Sequence, residues 1–116
     1  DVTARDLQKT DGQWTRAKGF DSFCPMGVPG DPPTELQRLT VITRVNGVEK
    51  QRGNASDMVF SIPTLLSYIS HMMTLDPGDL VATGTPAGVA PLAPGDIVEI
   101  EIPGISRVSN GVKADR

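Results

Sequence analysis

The sequence predicts a β-rich α+β domain made of short strands and one main helix. Three observations predict it. Glycine (12) and proline (10) interrupt the 116 residues often enough to favour strands and turns over long helices. LTVITRV at 39–45 and IVEIEI at 97–102 alternate with the period of two of a half-buried strand. One stretch, 62–73, carries apolar residues at convincing helical spacing.

Residues 3–9 are expected to form a single helical turn with Thr3 as its cap. Residues 25–35, PMGVPGDPPTE, hold four prolines and must run as an extended loop, because proline lacks the N–H that a helix or a ladder uses. Leu39 to Val45 read as a strand with Leu39, Val41, Thr43 and Val45 on one face. Asn46-Gly47 follows, a strong hairpin signal because both residues accept positive φ, and Val48 to Gln51 form the returning strand. In the helix from Ile62 to Met73, the residues Ile62, Leu65, Leu66, Ile69, Met72 and Met73 share a face; Ser61 caps it, Pro63 fits its first turn, and Pro77 stops anything further. Pro-Gly-Asp occurs at 77–79 and again at 94–96, each time before an apolar run, LVAT at 80–83 and then IVEIEI. These are two turns entering two strands, not an internal repeat.

Length allows one domain at most, large enough to bury a core. A formal charge of -3 with no basic stripe argues against a nucleic-acid partner. No apolar run approaches the roughly 20 residues of a membrane helix. Cys24 is the single cysteine, so no internal disulfide can form, and a cytoplasmic location is the default expectation. The chain opens on Asp1-Val2-Thr3 with neither Met nor a targeting segment and reads as part of a longer polypeptide.

One histidine and one cysteine cannot supply a Cys/His metal site or a Cys-His nucleophile. His71 falls on the polar face of the predicted helix, a place for a surface residue. Any metal would therefore be a hard ion held by oxygen, although no acidic pair stands out by ligand spacing. VATGTPAGV at 81–89 carries two glycines and two hydroxyls in the loop Thr83–Gly88. It matches neither a P-loop nor a dinucleotide fingerprint. It is either an ordinary strand-exit turn or a nest of N–H groups suited to a carboxylate. DVTARDLQ at 1–8 is dense in polar function, and on a helical turn Arg5 and Gln8 point the same way. Lys18, between Ala17 and Phe20 in its local sequence, is placed for partial desolvation.

Taken together, DVTARDLQ, WTRAKGFDSFCPMG, VNG, NASDMVFSIPTLLSYIS and LDPGDLVATGTPAGV resemble the fumarylacetoacetate hydrolase family in order and spacing, from Asp1 to about Asn110. The resemblance is strongest to members that act as 2-hydroxyhepta-2,4-diene-1,7-dioate isomerases, acylpyruvate hydrolases or oxaloacetate decarboxylases. It implies a mixed β-sandwich roll of that family's carboxy-terminal type, a homodimer, and Mg²⁺ (or Mn²⁺ or Ca²⁺) bound by a Glu-x-Glu pair and a later Asp. Asp1 would be that third ligand. Arg5 and Gln8 would contact substrate, and Lys18 and Gln8 would act in catalysis. Ser22 would lie with Lys18 near a second cation site, and Thr85 with Gly84 would bind a substrate carboxylate. The implied reaction is hydrolysis of a C–C bond, decarboxylation or keto–enol isomerisation of a 2-oxo or β-diketo acid through an enolate. The Glu-x-Glu pair and lid that lie upstream of the Asp motif in the family are not in these 116 residues. On this reading 1–116 is a partial catalytic domain, expected to be inactive by itself. The alternative is a non-catalytic fragment that only folds or dimerises.

Overall fold

The computed structural model describes residues 1–114. Its sheet is built from two hairpins. Asn46 and Gly47 adopt φ of 52° and 79°, the left-handed pair that lets a two-residue turn follow the twist of its strands. They join β1 (Thr40–Val45) to β2 (Val48–Asn54), and a second hairpin joins β3 (Ile97–Ile102) to β4 (Ser106–Gly111). The hairpins meet along β1 and β3, giving one antiparallel sheet in the order β2-β1-β3-β4. The β-rich α+β reading therefore holds, with both alternating segments in the sheet.

Register assigns the faces. Thr43 lies opposite Ile100 and Val45 opposite Val98, so the β-branched residues of β1 share a face with the apolar residues of β3. The other face carries Ile42, the buried side chain of β1, opposite Glu101, and beside it a run of charges. Arg44 donates to Glu99 at 3.3 Å and to Glu101 at 2.6 Å, and Arg107 pairs with Glu99 from β4. Arg107, with Arg44 beside it, holds the Glu99 carboxyl below the usual glutamate range. The hairpin turn is fastened to the start of β3 by Asn46, whose Nδ2 donates to Asp96 at 2.8 Å while its Oδ1 accepts from the Ile97 N–H at 2.9 Å. The Ala93 N–H and then the Asn46 amide keep the Asp96 carboxyl below its ordinary value.

The helices are short or peripheral. α1 (Arg5–Thr10) starts two residues later than expected, and α2 (Thr15–Lys18) is a single turn. Thr3 does not cap α1: Ala4 holds the cap position without a side-chain bond, and the Thr3 hydroxyl accepts from the Lys18 ammonium instead. α3 (Ile62–Met72) begins as expected, with Ser61 accepting from the Thr64 N–H and Pro63 in its first turn. Ile62, Leu65 and Ile69 of α3 are half-buried, while Leu66, Met72 and Met73 are exposed, so the apolar stripe is narrower than its sequence.

Both Pro-Gly-Asp segments turn, but only the second leads into a strand. Residues 80–83, LVAT, are not in a ladder. A β-branched run becomes a strand only where a neighbour can pair with it, and none is beside this one among the described residues. β2 in turn runs on to Asn54 because its partner continues to Thr40, across an irregularity between Thr43 and Arg44. The core is smaller than the length allows. Among the described residues Ala17 (0% exposed) and Ile42 (4%) are the buried apolar side chains, whereas Val59 is 92% exposed and Phe60 60%. A single sheet layer with one helix at its margin buries little.

Candidate functional site

The amino-terminal residues are held against α2 and the turn that follows it by two backbone bonds. The Val2 N–H donates to the Phe23 carbonyl at 2.8 Å and the Ala4 N–H to the Ala17 carbonyl at 2.9 Å. Ala17 is small enough to let the segment pass directly over it, which is why it is fully buried. One helix position further on, Lys18 then meets the segment. Its Nζ lies 2.6 Å from Asp1 Oδ2 and 3.0 Å from Thr3 Oγ1, and 5.9 Å from the centre of the Trp14 ring. The ring face adds a weak cation–π attraction at that distance. Lys18 is thus half-buried, as its sequence neighbours suggest, with a side chain 28% exposed. An ammonium has three N–H donors. Two are used on Asp1 and Thr3, and one is left.

Arg5 and Gln8 lie one turn apart on α1, and the Arg5 Nη1 donates to Gln8 Oε1. With its carbonyl engaged, the Gln8 amide presents its NH₂ as a donor. Ser22 sits in the exposed turn closed by the Phe23 N–H and the Phe20 carbonyl, at φ 67°. No hydrogen bond joins it to Lys18 among the described residues. Gly84 has φ 107°, and the Thr85 hydroxyl accepts from Gln51 Nε2 at 2.9 Å. The Thr83–Gly88 loop is therefore attached to β2, with no hydrogen bond or ion pair to Asp1, Arg5, Gln8 or Lys18 among the described residues. Sequence reasoning missed Gln51. The signal was present: a long amide on the strand face that Val41, Thr43 and Val45 make apolar, with Gln51 opposite Thr43.

His71 is exposed, its Nδ1 2.6 Å from the Ser67 carbonyl one turn back, which is the surface position expected of it. Glu99 and Glu101, two apart on one strand, do form an acidic pair that sequence reading passed over. Arg44 and Arg107 occupy it, so it is an ion-pair ladder on the sheet. Among the described residues no three His, Cys, Asp or Glu side chains cluster as a metal site would need. What does suit a hard cation is Asp1, whose Oδ1 has no partner among the described residues while Oδ2 faces Lys18. One open carboxylate oxygen is at most a single member of the oxygen set such a cation needs. Among the described residues no helix is long and apolar enough to cross a membrane.

Residues 1–113 match the family model described as fumarylacetoacetate (FAA) hydrolase, C-terminal. The chain is 47% identical over 122 residues to the oxaloacetate tautomerase YisK of Bacillus subtilis, covering 97% of this chain and 40% of that protein. It is 41% identical over 111 residues to the mitochondrial oxaloacetate decarboxylase of Dictyostelium discoideum, covering 90% and 51%. The crystal structure of 2-hydroxyhepta-2,4-diene-1,7-dioate isomerase from Mycobacterium marinum superposes with a TM-score of 0.89 at 49% identity, over 97% of this chain and 45% of that one. The chain spans about half the length of the curated relatives it matches.

Proposed function

Because the chain belongs to the fumarylacetoacetate hydrolase family, we propose that the polypeptide carrying it acts on 2-oxo or β-diketo acids through an enolate. Hydrolysis of a C–C bond, decarboxylation and keto–enol tautomerisation all share that intermediate, and the named relatives include an oxaloacetate tautomerase and an oxaloacetate decarboxylase. The observation that carries the reading is the Lys18–Asp1 contact at 2.6 Å, together with the Arg5–Gln8 hydrogen bond on α1, the helix that packs against the α2 bearing Lys18.

The chain's own residues have distinct tasks in this proposal. Lys18 keeps one N–H free and directs it at the oxygen on which the enolate charge develops. A donor fixed in advance at a half-buried position lowers the barrier more than a solvated one, because little reorganises as the charge forms. Gln8, its carbonyl held by Arg5, offers its amide N–H to the same region, and Arg5 offers charge to a substrate oxygen. Asp1 would hold a divalent cation, Mg²⁺ or Mn²⁺ or Ca²⁺, as one of several ligands. When bound, such a cation supplies Lewis-acid stabilisation of the 2-oxo enolate. Thr85, with the Gly84 backbone, binds a substrate carboxylate. Ser22, exposed in its turn, lies near a second cation site beside Lys18 in the same proposal. A homodimer is part of the same proposal, and exposed apolar side chains such as Phe60 and Met72 support it.

The test is an activity screen of the whole polypeptide with oxaloacetate, acylpyruvates and fumarylacetoacetate in the presence of Mg²⁺. Turnover of at least one 2-oxo acid is expected. Inertness toward all of them would remove the proposal.

A further inference from the structure

We infer that Gln51 is a positioning residue that sets the direction of the Thr85 hydroxyl, and so decides whether that hydroxyl can donate to a substrate carboxylate. The inference rests on the functional reading above and deepens it at one residue. Gln51 lies on β2 and sends its side-chain amide into the Thr83–Gly88 loop. Its Nε2 donates at 2.9 Å to Thr85 Oγ1 and at 2.9 Å to the Pro86 carbonyl. Both N–H groups of the amide are thereby used on one loop.

The backbone is shaped to permit this. Gly88, at φ 99°, lies so close to the Lys50 carbonyl that a Cβ there would collide with it. The Pro86 ring lies 2.9 Å from where a Cβ on Gly53 would stand. Two glycines, one on the loop and one on β2, thus let the loop rest against the strand at the span of a glutamine side chain. Any other residue at either position would lift the loop away from the amide.

The consequence for Thr85 follows from hydrogen-bond bookkeeping. A hydroxyl has one proton and can accept as well as donate. Because Gln51 donates to the Thr85 oxygen, the Thr85 proton has to go elsewhere, and an anionic acceptor is the partner it suits best. With an acceptor at position 51 the direction would reverse. The proton would then be consumed within the protein, and a carboxylate would meet an oxygen lone pair.

This separates an orienting role from simple anchoring of the loop. Steady-state kinetics of the whole enzyme with its best 2-oxo acid substrate are compared for wild type, Gln51→Met, Gln51→Glu and Thr85→Val. Gln51→Met is expected to raise KM roughly tenfold, with kcat changed much less, as loss of one hydrogen bond to a charged group does when it acts on binding. Gln51→Glu should raise KM further than Met, since glutamate takes the Thr85 proton and also sets a carboxylate against the Pro86 carbonyl. Adding Gln51→Met to Thr85→Val should change KM little, because the two residues act through one hydroxyl. A Gln51→Met effect that persists in full on Thr85→Val would overturn the inference in favour of anchoring through the Pro86 carbonyl, and a Gln51→Glu variant milder than Gln51→Met would overturn it as well. An active wild type with unchanged KM in Gln51→Met would overturn it outright and leave the functional reading standing. A wild type inert toward every 2-oxo acid would overturn both.

Discussion

Replacing Lys18 by methionine in the whole enzyme is expected to lower kcat by roughly a hundredfold or more, the usual loss when one preorganised electrostatic donor is removed from an active site. Methionine keeps nearly the volume of the lysine stem, so the packing around Ala17 and Trp14 should persist. The lost ion pair itself is a small matter for stability. Both partners are about a third exposed, at 28% and 33%, and pairs in contact with water contribute about 0–1 kcal/mol. A thermal melt run beside the kinetics should therefore show a folded variant. If Lys18 serves only to neutralise Asp1, kcat will stay near wild type.

Replacing Asp1 by alanine should weaken Mg²⁺ binding by more than about a hundredfold in enzyme first stripped with EDTA, since even outer-shell partners of metal ligands cost ten- to a hundredfold. The Lys18 contact makes the sign informative. Lysine and cation compete for one carboxylate, Asp1, whose Oδ2 lies 2.6 Å from the ammonium. Lys18→Met should then bind Mg²⁺ as tightly as wild type or more tightly, while losing turnover. Asp1→Ala should lose both. Calorimetric titration of the two variants reads this directly, and an Asp1→Ala protein with wild-type affinity would show that Asp1 is not a ligand.

Local chemistry was the part of the fold that could be read from the sequence. Asn46-Gly47, the alternation of LTVITRV and IVEIEI, and Ser61 with Pro63 at the head of α3 each specify their own conformation within a few residues. β4 was missed because SRVSNG is too polar to announce a strand. Its backbone is ordered by pairing with β3, a cause that lies outside its own sequence. LVAT failed in the opposite way, having strand propensity and no partner. In the site, Arg5 and Gln8 follow from helical spacing. Asp1 and Lys18 are 17 residues apart, and no period connects them. Lys18 stands out by its apolar neighbours and Asp1 by resemblance to a family motif, and what joins them physically is the Ala4 N–H on the Ala17 carbonyl.

The sheet's construction from two hairpins also divides its folding into cheap and expensive steps. Each hairpin closes over a short turn, but the seam between β1 and β3 joins distant residues such as Arg44 and Glu101, 57 positions apart along the chain. Closing so long a loop is the slow event that non-local topology imposes. Its entropy, however, grows only with the logarithm of length, about 0.6 kcal/mol for each doubling. The stretch between the hairpins is thus nearly free to change length. A glycine-serine insert of about ten residues at Pro77-Gly78 should lower the unfolding free energy read from urea titration by no more than a few tenths of a kcal/mol. The same insert between Asn46 and Gly47 would destroy the turn that fixes register and should cost several times as much. Equal sensitivity at the two positions would mean that the hairpins are not the units from which this sheet assembles.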